Sequence, residues 1–223
     1  MAEQKPFRVE VSVGAPREAV WRALTEPAEI RRWHGWEYDG LDEEIRFIYV
    51  DHAKPSPPGE ILLDDGAQGQ KITLLAEGTG TLVRVARPGS LPDDGAYDDI
   101  EQGWVCFLQQ LRHYLEHHPG EDRATLRLEG LAAPDATLAA VRDRFPGETR
   151  HSGRFQHDIA TARPGRGLLV FTSHAPLDSS APAPVTLTLT AHGPGERELT
   201  EAREDLRSWW SSLVSDPRTV PPG

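Results

Sequence analysis

The sequence predicts an α+β fold: an antiparallel sheet wrapped around one long helix, followed by a second, smaller unit of similar make-up. Three observations predict it. Between residues 7 and 87 the apolar residues alternate in short runs broken by Gly and Pro, which is the period of half-buried strands. Residues 98–118 form a single long stretch with helical apolar spacing. After Gly120 the order strand, helix, strands, helix begins again, with a faint internal repeat.

"PFRVEVSVG" places Phe7, Val9, Val11 and Val13 on one side of a strand. "APREAVWRALTEP" follows, with Pro16 suited to a first helical turn and Val20, Trp21 and Leu24 as its apolar stripe. "PAEIRRW" reads as a second short helix from Pro27. "EEIRFIYVDH" alternates Ile45, Phe47 and Tyr49 against Arg46, Ile48 and Val50, and is expected to be a strand with two useful faces. "KPSPPG" is expected to be a rigid turn, "EILLDDG" a short strand, and "QKITLLAEGTGTLVRVAR" a hairpin around Gly78-Thr79-Gly80. A polar loop over 88–97 is expected to lead into the long helix.

On that helix, Ile100, Trp104, Phe107, Leu108, Leu111, Tyr114 and Leu115 fall on one broad face. Cys106, Gln102, Gln109, His113 and His117 fall on the other, and the two histidines are expected to be solvated on an outer face. Asp98 and Asp99 sit where carboxylates meet the orphan N–H groups of a helix start, and Pro119-Gly120 ends the helix. His113 and His117 are four apart, but Cys106 lies about 10 Å further along the axis, so a three-ligand metal set does not close. Neither a metal nor a cofactor is expected. The long helix is the large amphipathic element available to cover the sheet, and the space between the two is a natural ligand pocket.

The chain of 223 residues suits one large domain or two small ones, and its net charge of −11 argues against nucleic acid and against anionic membrane surfaces as partners. A single cysteine excludes an intrachain disulfide and points to a reducing, cytoplasmic setting. No segment is long or apolar enough for a membrane span, and the first residues lack the apolar run of a signal peptide. Abundant Arg, scarce Lys and absent Asn suit a high-GC bacterial genome. There is no Gly-x-Ser-x-Gly elbow, no phosphate-binding loop and no dinucleotide fingerprint.

Val20-Trp21-x-Ala23-Leu24-Thr25, Pro27 with Trp33, and Gly103-Trp104 followed by Leu108 and Leu111 resemble the START/Bet v 1-like (SRPBCC) superfamily, and within it the activator of Hsp90 ATPase family. The resemblance covers residues 7–117, about half of the chain. It implies a helix-grip fold. It implies no single activity, because this superfamily hosts lipid carriers, polyketide cyclases, co-chaperones and resistance proteins. The segment between Trp36 and Gln70 is short for the family, which implies a small or filled pocket.

The expected ligand-binding residues are Trp33, Trp36, Phe47, Tyr49, Leu74, Val83, Trp104, Leu108 and Leu111, with His34 and His52 near the rim. No catalytic residue is assigned. The expected function is binding of a hydrophobic small molecule without catalysis, by a monomer or homodimer. Two alternatives stay open. One is a polyketide cyclase or aromatase-like enzyme, with Tyr49 and His52 as acid–base groups. The other is a protein-interaction module, co-chaperone-like or serving stress or resistance.

Residues 1–120 are expected to form the helix-grip domain, 121–216 a smaller α+β domain, and 217–223 a disordered tail. In the second half, "VGAPREAVWRAL" aligns with "LAAPDATLAAVR" and "LRHYL" with "LRSWW", so it reads as a truncated repeat, with an unrelated C-terminal extension packed on the first domain as the alternative. Trp209 and Trp210 point about 100° apart on the last helix, so one is expected to cover the local sheet and the other to reach a second surface, either the first domain or another subunit.

Overall fold

The computed structural model describes residues 4–63, 69–92 and 96–220. The chain forms two compact units: Met1–Gly35 with Gly40–Gly120, and Trp36–Asp39 with Glu121–Gly223. Among the described residues no helix is long and apolar enough to cross a membrane.

The first unit is a five-stranded antiparallel sheet in the order β1-β5-β4-β3-β2, built from β1 (Gln4–Val13), β2 (Ala53–Ser56), β3 (Glu60–Leu63), β4 (Gln70–Glu77) and β5 (Gly80–Pro92). Phe7, Val9, Val11 and Val13 are all buried, as their alternation predicts. Register turns that alternation into cross-strand rows: Val11 faces Val83, which faces Leu74, and Val9 faces Val85, which faces Ile72 and then Ile61. Full burial of each such side chain stabilises by about 1.5–3 kcal/mol. The β4–β5 connection pairs Glu77 with Gly80, so Gly78 and Thr79 make the turn, and the positive φ of Gly78 (60°) is what a two-residue hairpin needs at its first central position.

Helix α4 (Asp99–His117) carries Trp104, Leu108, Leu111 and Tyr114 into the core and packs on β1. Its start is capped as expected: Asp98 Oδ1 accepts from the Glu101 amide at 2.8 Å. The other face is less wet than its composition suggests. Gln109, Gln110 and His113 are buried, and His118 just beyond the helix is fully so. The expectation of solvated histidines, made for His113 and His117, fails for His113, and His117 is only partly exposed. The rings of His113, His117 and His118 lie 5.0–6.3 Å apart.

Helices α1 (Arg17–Thr25) and α2 (Pro27–Ile30) follow β1. The next segment departs from expectation. Residues 41–51 are not a strand but α3 (Leu41–Arg46) continued by one π-helical turn over Phe47–Asp51. Leu41, Ile45 and Tyr49 are buried at steps of four. A step of four satisfies both a period of two and a period of 3.6, so this short window fits strand and helix alike. The deciding signal was the acidic run Asp42-Glu43-Glu44 behind Gly40, where a helix start favours carboxylates. Two smaller corrections concern loops. "KPSPPG" is half strand, since Ala53–Ser56 pairs with β3. The expected polar loop 88–97 is strand up to Pro92, paired with β1, while 93–95 lie outside the described residues.

The second unit is a six-stranded antiparallel sheet in the order β11-β6-β10-β9-β8-β7. Its strands are β6 (Arg123–Ala132), β7 (Glu148–Ser152), β8 (Gln156–Thr161), β9 (Arg166–Ser173), β10 (Ala183–His192) and β11 (Ser215–Val220). Helices α5 (Pro134–Arg144) and α6 (Glu196–Leu213) pack on one face through Leu138, Val141, Leu206 and Trp210, against Leu126, Leu187, Leu169, Phe171 and Ile159. The unit has more strands than the truncated copy expected, because β7 and β11 are polar and lack a hydrophobic period. The tail expected to be disordered from 217 is paired with β6 through Val220; 221–223 lie outside the described residues.

Trp210 is fully buried, and its Nε1–H donates to the Glu129 carbonyl at 3.0 Å. Trp209 turns toward Phe145, 5.6 Å between ring centroids, with the Arg144 guanidinium 5.0 Å from its ring. Both adjacent tryptophans thus find partners within this unit, so the contact of Trp209 differs from the expected one with the first domain or another subunit: the end of α5 supplies its second surface.

Candidate functional site

The residues expected to line a pocket separate into three groups. Leu74, Val83, Trp104, Leu108 and Leu111 are buried between sheet and α4, and the Trp104 Nε1–H donates to Gln70 Oε1. Trp33 and Tyr49 come together, 6.1 Å between ring centroids. Phe47 and Trp36 leave the group. Phe47 sits on the outer side of the π turn, 54% exposed, because it is two residues from the buried Tyr49 on a helical and not an extended backbone. Trp36 belongs to the second unit, where the Arg127 guanidinium stacks 3.8 Å from its ring.

Sequence reasoning put His34 at the rim. It is instead the centre, 1% exposed. Its ring lies 5.5 Å from Trp33, 5.2 Å from Tyr49 and 4.4 Å from Phe107, and Phe107 continues to Trp104 at 6.1 Å. Nδ1 of His34 is 3.1 Å from the Tyr49 hydroxyl. Nε2 is 3.6 Å from Oε1 of Glu44, whose side chain is about one-third exposed (36%). The result is a hydroxyl–imidazole–carboxylate line inside an aromatic shell.

Each member has a local cause. The turns after α2 carry Trp33 and His34 inward, and the Trp33 Nε1–H is fixed by the Ala23 carbonyl at 2.7 Å. Gly35 then reverses the chain at φ 60°, and Gln110 of α4 donates to its carbonyl at 2.9 Å. The π turn swings Tyr49 back onto the imidazole. Single π turns recur at functional sites because they re-aim one side chain of a helix. Burial, and then the nearby Glu44 charge, push the Tyr49 hydroxyl well above the usual phenol range. Tyr49 is therefore a neutral hydrogen-bond donor, not a base. His52, expected to work with Tyr49, is occupied elsewhere: its ring stacks on Phe47 at 4.0 Å and its Nδ1 lies 2.9 Å from the Phe47 carbonyl.

Beside this cluster, α2 and the α3–π segment enclose a surface cleft of about 530 Å³, floored by Pro27, Ala28, Ile45 and Val50 and flanked by Arg31, Arg46, Asp42 and Asp51. The Arg31–Asp42 pair bridges its two walls. Among the described residues no group of three or more His, Cys, Asp or Glu side chains is arranged to hold a metal ion.

The second unit holds a different polar set on β8. His157 is buried on the helix side beside Arg142 of α5, whose Nε–H donates to its Nε2 at 3.3 Å. Burial, then the charges of Arg142 and His151, lower its pKa to about 4, so it is neutral at pH 7. Asp158, on the opposite face, is fully buried, and Gln156 Nε2 donates to its Oδ2 at 3.0 Å. Burial raises its pKa to about 8, partly offset by that bond.

No protein-family profile matches the chain, and no curated protein sequence matches it. Several solved structures are similar in shape. DynU16, a putative protein of the dynemicin biosynthetic locus, is 18% identical over 92% of this chain and 95% of its own, with a TM-score of 0.35. The di-domain ARO/CYC StfQ from the steffimycin biosynthetic pathway is 13% identical over 92% of this chain and 93% of its own, with a TM-score of 0.37. The Aha1 dimer from Colwellia psychrerythraea is 15% identical over 51% of this chain and 97% of its own, with a TM-score of 0.37. By its own strand order and helix placement, the chain is an α+β protein whose antiparallel sheets each hold a long helix in the helix-grip manner.

Proposed function

We propose that the first unit binds an apolar small molecule between its sheet and α4, and that it does so without transforming it. One observation carries the reading: the Tyr49–His34 hydrogen bond sits inside the shell of Trp33, Phe107 and Trp104. Mostly apolar sites orient their ligands with a few well-placed polar groups of this kind. The cleft beside α2 and the π turn gives a ligand an apolar approach, and each of its two arginines is paired with an aspartate of the same cleft, Arg31 with Asp42 and Arg46 with Asp51, so its flanks favour no net charge. The single cysteine, Cys106, fits a reducing, cytoplasmic setting. We read the protein as a monomer or homodimer.

Native mass spectrometry of the purified chain tests this together with fluorescence titration of a hydrophobic library. The expected result is a co-purifying apolar adduct, or saturable quenching that falls by half or more in Trp33→Phe. A chain that carries no adduct and shows no saturable response to any member would overturn the reading.

A second reading is favoured by the Tyr49–His34–Glu44 line, which resembles an acid–base relay. In a cyclase or aromatase-like reaction Tyr49 would donate a hydrogen bond to a substrate carbonyl while His34 took up the proton released from the substrate and held it as imidazolium beside the Glu44 carboxylate. Under this reading His34→Gln retains binding and loses turnover. Under the binding reading there is no turnover to lose.

A further inference from the structure

The hydrogens of the Tyr49–His34–Glu44 line, all of it in the first unit, can be assigned one by one. Tyr49 keeps its single hydroxyl hydrogen, because burial and the nearby Glu44 charge hold the phenol well above its usual range. A neutral imidazole carries one ring hydrogen, on Nδ1 or on Nε2. Nε2 of His34 faces Oε1 of Glu44 at 3.6 Å. That is longer than a hydrogen bond, so the carboxylate acts on the ring through its charge. It draws the ring hydrogen to Nε2; on Nδ1 the hydrogen would leave the Nε2 lone pair facing a negative oxygen. Nδ1 is then the acceptor, and the Tyr49 O–H donates to it at 3.1 Å.

We propose that the Tyr49 oxygen orients the ligand of the first unit, and that it selects an apolar molecule carrying a neutral hydroxyl, which donates to it. The inference rests on the binding reading above and deepens it to a ligand class. With its own hydrogen given to His34, the Tyr49 oxygen has lone-pair capacity left and no donor. A ligand hydroxyl extends the line in one sense: ligand O–H to Tyr49, Tyr49 O–H to Nδ1, and the Nε2 hydrogen toward Glu44. Hydrogen bonds aligned in this way polarise and strengthen one another, and here they end on a negative charge. A carbonyl offers lone pairs alone. It must take the Tyr49 hydrogen away from His34, which is the event the cyclase-like reading requires. The rings of Trp33 and Phe107, 5.5 Å and 4.4 Å from His34, favour an apolar body around the hydroxyl. The cleft floored by Ile45 and Val50 of the same segment carries paired charges on its flanks, so a neutral ligand meets no net charge there. Tyr49 is the specificity residue in this scheme, and His34 and Glu44 are positioning residues.

The test uses the full chain and has two arms. The first needs no ligand. Long-range proton–nitrogen NMR of the histidine-labelled chain, at a pH above the usual imidazole range, reads the His34 ring, assigned by its loss in His34→Gln. The expected result is a protonated Nε2 and a bare Nδ1, with the preference weakened in Glu44→Gln. A hydrogen on Nδ1 overturns the proposal, because Tyr49 would then accept from His34 and have its own O–H to give. The second arm titrates tryptophan fluorescence with β-naphthol, its methyl ether and methyl β-naphthyl ketone. β-Naphthol should bind roughly threefold to tenfold more tightly than the ether, the scale of one neutral hydrogen bond. Tyr49→Phe should abolish that preference and Glu44→Gln should reduce it. Should Tyr49→Phe fail to fold, Glu44→Gln alone must still lower the preference. Equal binding of all three probes leaves the binding reading standing and overturns the ligand class. Tighter binding of the ketone also overturns it and favours the cyclase-like reading. A preference undiminished in a folded Tyr49→Phe chain overturns the role of Tyr49. Binding of none of the three counts against the binding reading itself, and the ligand class falls with it.

Discussion

The Tyr49 hydroxyl and the His34 imidazole meet at 3.1 Å in a site with almost no access to water. Tyr49→Phe removes the hydroxyl and leaves the His34 nitrogen facing a ring. The expected cost is about 1–2 kcal/mol, a neutral hydrogen bond plus part of the penalty for an unpaired buried acceptor. A double-mutant cycle with His34→Phe isolates the pair. A coupling energy near zero in denaturant melts would mean that the two groups do not depend on each other.

Trp104 is a buried large side chain that α4 contributes beside Phe107, and its indole nitrogen is bonded to Gln70. Trp104→Ala should destabilise the first unit by about 3–5 kcal/mol, as large aromatic truncations in cores do. Trp104→Phe, which loses the donor but keeps most of the packing, should cost about 1–2 kcal/mol. Urea melts of both variants check the order. Equal losses would show that the Gln70 bond and not the ring volume dominates.

His157 and Asp158 are neighbours on β8 with opposite shifts, and the signs give a distinctive pH profile. Asp158 has its folded pKa raised from 3.8 to about 8, so its contribution to stability is complete below about pH 4 and is lost as pH rises toward 8. His157 has its folded pKa lowered from 6.5 to about 4, so its contribution is present above 6.5 and is lost as pH falls toward 4. Between pH 4 and 6.5 the folded state gains one proton at Asp158 and lacks one at His157, and the two slopes cancel. Between 6.5 and 8 Asp158 acts alone, at about 1.4 kcal/mol per pH unit, so the second unit should lose about 1–2 kcal/mol over that interval. Exchange at β9 and β10 amides follows the unit directly. Asp158→Asn should flatten the fall above pH 6.5, and His157→Gln should extend it down to about pH 4. A fall that persists unchanged in Asp158→Asn would assign it to another group.

Much of the fold was legible because its signals were periodic and long. Val9, Val11 and Val13, and the apolar face of residues 98–118, repeat often enough to exclude the competing period. Residues 41–51 were not legible, because Ile45 and Tyr49 are spaced so that both periods accept them. The misreading of that segment carried the site with it. As a strand it offered Phe47 and Tyr49 on one face; as a helix with a π turn it offers Tyr49 to His34 and Phe47 to solvent. The placement of Trp36 was out of reach for a different reason. Its partner Arg127 is 91 positions away in the chain, and no local pattern encodes such a contact. β7 and β11 escaped because strands stabilised by pairing need no apolar alternation.

The second unit should not fold at full strength from residues 121–223 alone, because part of it comes from elsewhere in the chain. Without Trp36–Asp39, the amide and hydroxyl of Thr125 lose Glu37 and the Arg127 guanidinium loses its aromatic seat. Thr125 is buried in the second strand of the sheet, 3% exposed. Once Glu37 is gone, water can satisfy these groups only by entering the place it leaves. Leaving one buried donor unmet costs about 1–3 kcal/mol, and small domains have only about 5–15 kcal/mol in total. A fragment cut after Gly120 is therefore expected to melt well below the second unit of the intact chain, or to aggregate. Adding Glu37→Ala to the intact chain should reproduce part of this loss. Two well-dispersed NMR spectra from the separate pieces, with each piece as stable as in the whole, would refute this dependence.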